Sequence, residues 1–522
     1  MGRRASDIET SGAGTVVDLL FHAARTRPRT VALICGEESI DYAGYADAVR
    51  SFALELDGAS GTGGRIATLL PNSLDACIAH FAVLASGRQL VPLNPDHTAR
   101  ELDFELRDSM PDVVIADPSL RAALEPTTLA MGTAVLWVGP GARRLAETAA
   151  GAAGAAPWPP ADPAALSLPD PSTLALLQYT GGTSGRPKGV ELLHRALRVN
   201  VAQREAVLPT RDDGERILCT MPLFHSYGMA MGLYLAARCR GTLVILAAYR
   251  RDALFDAIER HAITVFPGSP TIYAGLLDHA RFDSVDWSSV HTCYSGASAL
   301  SVALMERWHE AVGVAILEGY GQTEAGPVLS YNSPSAPIKA GSVGRPLPAT
   351  RIEIVDTETG LCVLPVHAIG EIRARGPQIM QGYRNRPEET AEALRDGWLY
   401  TGDIGEFDTD GYLYIRDRKK DMVIIGGYNV YPREVEEVLQ SHPAVSEVAA
   451  IGMADGYRGE VLHAFVVLRS DAGPVGAEEL LAHCEAHLVR YKRPARLMLV
   501  EGLPKTSVNK IDKKALRART PS

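Results

Sequence analysis

The chain has 522 residues, 46% of them hydrophobic, and a formal net charge of −10; it can bury more than one core and carries no excess of cations for nucleic acid. Its seven cysteines (Cys35, Cys77, Cys219, Cys239, Cys293, Cys362, Cys484) are odd in number and lack a C-x-x-C pair, which argues against a disulfide framework or a cysteine zinc site and favours a reducing cytosol. No apolar run reaches the roughly 20 residues of a membrane helix, and residues 1–14 lack the apolar centre of a signal peptide, so a soluble cytoplasmic protein is expected.

In chain order, residues 31–35 and 65–70 read as strands, 73–85 as a helix, 89–92 as the next strand and 98–109 as the next helix. This alternation predicts parallel sheets with helical crossovers. Residues 139–171, rich in Ala, Gly and Pro, have no usable period and read as a surface connection. A buried strand follows at 174–177, and a helical pattern runs from 190 to about 208. Between them lies Tyr179-Thr180-Gly181-Gly182-Thr183-Ser184-Gly185-Arg186-Pro187-Lys188-Gly189, read as a strand-to-helix turn. Its glycines let backbone N–H groups surround an anion, its hydroxyls add donors, and Lys188 adds a charge that follows a polyphosphate. Pro187 stands where a Walker A loop requires glycine, so this is a different phosphate loop. Beyond Thr401-Gly402-Asp403, short strands and turns are expected over 407–415. The charged run Arg416-Asp417-Arg418-Lys419-Lys420-Asp421 and a smaller αβ segment complete the chain. The domain boundary is placed in that run, giving 1–419 and 420–522.

Further motifs accompany the loop in a fixed order: Met221-Pro222-Leu223-Phe224-His225-Ser226-Tyr227-Gly228, Glu318-Gly319-Tyr320-Gly321-Gln322-Thr323-Glu324, Gly344-Arg345-Pro346, Tyr400-Thr401-Gly402-Asp403, the charged run, Gly426-Gly427-Tyr428-Asn429-Val430-Tyr431-Pro432, and Pro504-Lys505-Thr506 with Lys510. This set covers nearly the whole chain and resembles the acyl-CoA synthetase branch of the acyl-adenylate-forming superfamily. The resemblance implies an α/β fold. A large N-terminal domain with parallel-rich sheets holds acid and nucleotide, and a small mobile C-terminal α+β domain alternates over it about a hinge at Lys420. It also implies an ATP- and Mg²⁺-dependent acid–thiol ligase. The carboxylate attacks the α-phosphate of ATP, pyrophosphate leaves, and the thiol of CoA displaces AMP.

The same resemblance distributes roles. Thr180, Gly181, Gly182, Thr183, Ser184, Gly185 and Lys188 would handle the terminal phosphates. Tyr320 would stack on adenine with Gly296, Ala297 and Ser298 on the other side, and Gly321 and Gln322 would line the nucleotide site. Thr323 would contact the α-phosphate and Glu324 would help bind Mg²⁺. Asp403 would accept both ribose hydroxyls, with Arg418 reaching the same sugar. His225, Met229, Tyr320 and Gly321 would line the acyl pocket, His225 also orienting the acyl group. Lys510 would offset charge at phosphorus during adenylation. It would then give way to a face bearing Gly426, Gly427 and Tyr428, along which pantetheine passes. Relatives that activate amino acids carry an aspartate where this chain has Phe224-His225-Ser226, so a non-amino-acid organic acid is expected.

One position departs from the pattern: Asn509 precedes Lys510 where the family has glycine. Asparagine tolerates positive φ, which makes this a silent replacement. A second reading has it displacing Lys510, leaving an enzyme that thioesterifies an adenylate supplied by an upstream partner. Two further readings are transfer to a carrier-protein phosphopantetheine and non-catalytic nucleotide binding. Lys188, Glu324, Asp403, Arg418 and Lys510 together count against the last. The sequence sets neither the acid nor an oligomeric state.

Overall fold

The computed structural model describes residues 14–59, 64–146, 166–180, 187–425, 428–455, 459–469, 472–506 and 510–519. A seven-stranded sheet runs in the order Gly382–Tyr383, Lys188–Leu193, Leu174–Thr180, Gln89–Pro92, Arg65–Leu69, Val113–Ala116, Ala134–Trp137. The last five strands are parallel. Gln89–Pro92 and Val113–Ala116 are buried at every position, which explains unbroken apolar runs in place of alternation. Helix Leu74–Ala85 is buried along its whole length and opens at Ser73, whose side chain accepts from the Ala76 amide. Helix Ala99–Ser109 opens with a capping box formed by Thr98 and Glu101.

The expected strand-to-helix turn is corrected here. Leu174–Thr180 pairs antiparallel with Lys188–Leu193, with Thr180 opposite Lys188 and Tyr179 opposite Gly189, and the helix begins only at His194. Short apolar segments such as Val190-Glu191-Leu192-Leu193 fit either period. Pairing with Leu174–Thr180 on one edge and Gly382–Tyr383 on the other decides for strand. The phosphate-loop segment is therefore flanked by two paired strands, and no helix directly follows it.

The second sheet has nine strands. Val31–Cys35, Thr242–Ile245, Arg216–Cys219, Val265–Gly268, Thr292–Ser295 and Ile316–Gly321 are neighbours in that order and parallel. Their carboxyl ends lead into residues 220–225, Gly296–Ser298 and Gln322–Glu324, which brings those segments to one edge. Open parallel sheets bind ligands at that edge.

A third, antiparallel sheet contains Arg351–Val355, Gly370–Arg375, Leu394–Arg395, Trp398–Phe407 and Leu413–Arg418. Asp403 thus lies inside a ten-residue strand, and only Lys419–Asp421 of the charged run leaves the sheet. Over 407–415, where short strands and turns are expected, the end of Trp398–Phe407 and the start of Leu413–Arg418 flank one turn, closed by Asp408 N donating to Tyr412 O at 3.0 Å.

One apolar cluster from Val16 to Leu413 holds these sheets and their helices together. The smaller C-terminal part has its own clusters, built on the antiparallel pair Val445–Asp455 and Gly459–Leu468 and on helices Pro432–Gln440, Ala477–His487 and Lys513–Arg519. Among the described residues, no helix is long and apolar enough to cross a membrane.

Candidate active site

Strand pairing places Asp403 directly opposite Arg418. The Arg418 Nε lies 3.2 Å from Asp403 Oδ1, and the Tyr320 hydroxyl donates to Asp403 Oδ2 at 2.7 Å. Asp403 is only 5% exposed, so these two donors replace much of its lost hydration. Burial and the Asp403 charge raise the Tyr320 phenol well above its ordinary range and keep it a donor. Tyr320 is the penultimate residue of a strand whose final residue, Gly321, could not carry a side chain: an added Cβ would stand 2.0 Å from Pro327 O. Gly296 is buried against the Tyr227 ring, Ala297 takes the left-handed conformation at φ 72°, and Ser298 is half-buried beside them.

The next turn presents Thr323 and Glu324. Thr323 is buried, with its Oγ1 3.5 Å from Ser226 Oγ, and Gln322 is half-buried before it. Glu324 Oε1 accepts from the Tyr383 hydroxyl at 2.8 Å, and Oε2 has no hydrogen-bond partner among the described residues. Lys188 Nζ stands 4.9 Å from the centroid of the same Tyr383 ring. The Thr180 hydroxyl points back at Lys188 O, at 3.5 Å. The Gly181, Gly182, Thr183, Ser184 and Gly185 positions lie outside the described residues.

His225 caps the single turn Ser226–Gly228, its Nδ1 accepting from the Tyr227 amide at 3.2 Å. Burial and the nearby Lys510 charge lower its pKa to about 3. The ring is therefore neutral, and with Nδ1 accepting, its proton sits on Nε2. Two polar residues not singled out from the sequence hold this segment. Asn72 donates to Met221 O at 3.1 Å and accepts from Leu223 N at 2.8 Å, and Gln178 donates to Phe224 O at 3.0 Å. Gln178 was detectable as a lone amide in an apolar strand, whereas Asn72 looks like any loop asparagine. Met229 is buried and opens a five-residue π-helical turn, Met229–Leu233, a device found often at functional sites.

Lys510 arrives from the far end of the chain. Its turn is closed by Thr506 N donating to Lys510 O at 2.7 Å, by Lys510 N donating to Thr506 Oγ1 at 3.2 Å, and by a bridge from Lys505 to Ile511. Asn509 lies outside the described residues. Burial, and after it the Arg418 charge, lower the Lys510 ammonium to about 8, with Asp403 and Glu324 acting in the opposite sense. Lys510, His225, Asp403, Arg418 and Glu324 thus share one electrostatic environment although they come from five separate stretches of sequence.

Lys420 is exposed between two anchored neighbours. Lys419 Nζ lies 2.7 Å from Glu371 of the third sheet, and Asp421 lies 2.9 Å from Arg517 of the last helix. Tyr428 is exposed and stacks on Tyr491 with ring centroids 4.5 Å apart; no contact joins it to the Lys510 group among the described residues. Gly426 and Gly427 lie outside the described residues. Among the described residues, no group of three or more His, Cys, Asp or Glu is gathered to hold a metal ion. Glu324 offers one spare carboxylate oxygen, which fits Mg²⁺, a cation held by one or two carboxylates together with substrate phosphates and water.

Comparison with known proteins agrees with this arrangement. The family model for AMP-binding enzyme matches residues 20–384, and that for AMP-binding enzyme C-terminal domain matches 434–510. A long-chain-fatty-acid–CoA ligase of Bacillus subtilis (strain 168) is 37% identical over 519 residues, covering 95% of this chain and 92% of that one. A 4-coumarate–CoA ligase 5 of Oryza sativa subsp. japonica is 35% identical over 470 residues, covering 88% and 85%. The anthranilate CoA ligase AuaEII in complex with anthranoyl-AMP superposes with a TM-score of 0.90 at 27% identity, covering 99% of this chain and 98% of that one. ATP-bound MatB from Rhodopseudomonas palustris gives 0.86 at 30% identity, covering 96% and 98%.

Proposed function

Because this chain belongs to the AMP-binding enzyme family, we propose that the cleft beneath the Lys510 turn activates an apolar-tailed organic acid as its adenylate and passes it to CoA. The protein is an AMP-forming acyl-CoA ligase, and ATP and CoA are its substrates. The observation that carries the assignment of residues is the convergence of Lys510 with Asp403, Arg418, Glu324 and His225.

In this reading Asp403, held by Tyr320 and Arg418, accepts the ribose hydroxyls. The α-phosphate lies between Thr323 and Lys510, and Lys510 offsets the negative charge that builds as the carboxylate attacks. The neutral His225 presents Nε2–H to the acyl group and takes no proton from it. Lys188 and the hairpin loop hold the departing pyrophosphate. Mg²⁺, when bound at the spare Glu324 oxygen, supplies charge neutralisation on the phosphates. Once pyrophosphate leaves, rotation about Lys420 withdraws Lys510 and brings the Gly426, Gly427 and Tyr428 face over the adenylate for attack by the thiol. The domains are accordingly 1–419 and 420–522. All seven cysteines are unpaired, which supports a reducing, cytosolic setting.

For the acid, the buried Met229 and Met231 and the π-helical turn give an adaptable apolar wall. Similarity to long-chain-fatty-acid–CoA ligases makes aliphatic acids the first to test. A panel of aliphatic and aryl acids is incubated with ATP and Mg²⁺, with and without CoA, and pyrophosphate and acyl-CoA are followed. Acid-dependent pyrophosphate, with acyl-CoA only when CoA is present, is expected. Thioester formed from synthetic acyl adenylates but pyrophosphate from no acid would overturn the adenylation role.

A further inference from the structure

The geometry points to Tyr383 as a positioning residue that joins the two halves of the polyphosphate site: its hydroxyl holds Glu324 and its ring holds Lys188. The inference rests on the reading above, in which Glu324 serves the metal and Lys188 the phosphates.

Backbone contacts place Tyr383 between them. Gly382–Tyr383 pairs antiparallel with Lys188–Leu193, Tyr383 lying opposite Val190, and Arg384 N donates to Gly189 O at 2.8 Å. On the other side Met380 N donates to Glu324 O at 2.9 Å. The Thr390 hydroxyl accepts from Tyr383 N at 2.9 Å and fixes the same residue from behind. Five consecutive residues thus bridge the strand that begins with Lys188 and the turn that carries Glu324.

The side chain then does two things. Its hydroxyl donates to Glu324 Oε1 at 2.8 Å, which sets the carboxylate rotamer and leaves Oε2 for a cation. Its ring faces the Lys188 ammonium at 4.9 Å. Among the described residues Lys188 has no ion pair, so it is steadied by a π face that a phosphate can displace.

Tyr383→Phe removes the hydroxyl and keeps the ring, while Tyr383→Leu removes both. Binding of Mn²⁺ to the enzyme with a non-hydrolysable ATP analogue is followed by electron paramagnetic resonance, and analogue binding in EDTA by calorimetry. Tyr383→Phe should weaken Mn²⁺ binding by about 10- to 100-fold and leave metal-free nucleotide affinity and the melting temperature unchanged. Tyr383→Leu should weaken both. Pyrophosphate release should fall in each variant, while thioester formation from a synthetic acyl adenylate stays at the wild-type rate. Wild-type Mn²⁺ binding in Tyr383→Phe, or equal loss of both half-reactions in it, would overturn the inference. If the wild-type protein itself binds no Mn²⁺–nucleotide, the roles of Glu324 and Lys188 fail first and Tyr383 falls with them.

Discussion

Lys510 is a cation whose charge the fold has made conditional. Burial and Arg418 bring its pKa down to about 8, so it is protonated at neutral pH and loses the proton as pH rises through that value. If the cation serves adenylation, kcat/KM for pyrophosphate release should be level below pH 8 and then fall about tenfold per unit. Lys510→Arg should move this limb to higher pH, since the guanidinium keeps its charge. A limb that stays put in Lys510→Arg would assign it to another group. His225 shows how a role depends on what sequence cannot express. The motif Phe224-His225-Ser226 singles the residue out, but its neutrality follows from burial and from Lys510, which is 285 positions away along the chain.

Single elements explain where the sequence reading went wrong and where it held. Strand 89–92 is buried at every position and helix 99–109 carries its own cap, so local signals suffice for them. Residues 190–193 have no such signal, and only the neighbouring strands settle their conformation. Gly402-Asp403 reads as a turn by residue type, yet pairing with Leu413–Arg418 draws it into a strand and sets Asp403 opposite Arg418. The turn after His225 gives an element-scale test. A Cβ at Gly228 would stand 2.2 Å from Pro222 O, a backbone atom that cannot swing aside. Gly228→Ala should therefore destabilise the protein by about 1–3 kcal/mol. Chemical denaturation should show a lower midpoint with the slope unchanged, and acid-dependent pyrophosphate release should fall with it.

Across the whole molecule, the ordered motifs made the fold legible, because together they span nearly the whole chain and match one family. Their pairwise geometry was not legible: the Tyr320–Asp403 bond, the Tyr383 bridge and the bracing by Asn72 and Gln178 each join residues far apart in sequence. The same scale holds the proposed hinge. Lys419 is tied to Glu371 and Asp421 to Arg517, so the proposed rotation between the domains would concentrate at Lys420. Lys420→Pro fixes φ there. It should leave pyrophosphate release within a few-fold of wild type and slow thioester formation by roughly a hundredfold, as a misplaced reacting group does. Separate single-turnover measurements of the two half-reactions check this, and equal slowing of both would remove the hinge from Lys420.

In the proposed mechanism the C-terminal Lys510 serves the first half-reaction and not the second. Lys510→Ala, assayed for acid-dependent pyrophosphate release and, separately, for thioester formation from synthetic acyl adenylate and CoA, tests it most directly. The predicted result is a loss on the order of a hundred- to a thousandfold in the first with the second preserved. Unchanged pyrophosphate release, or equal loss in both, would contradict it.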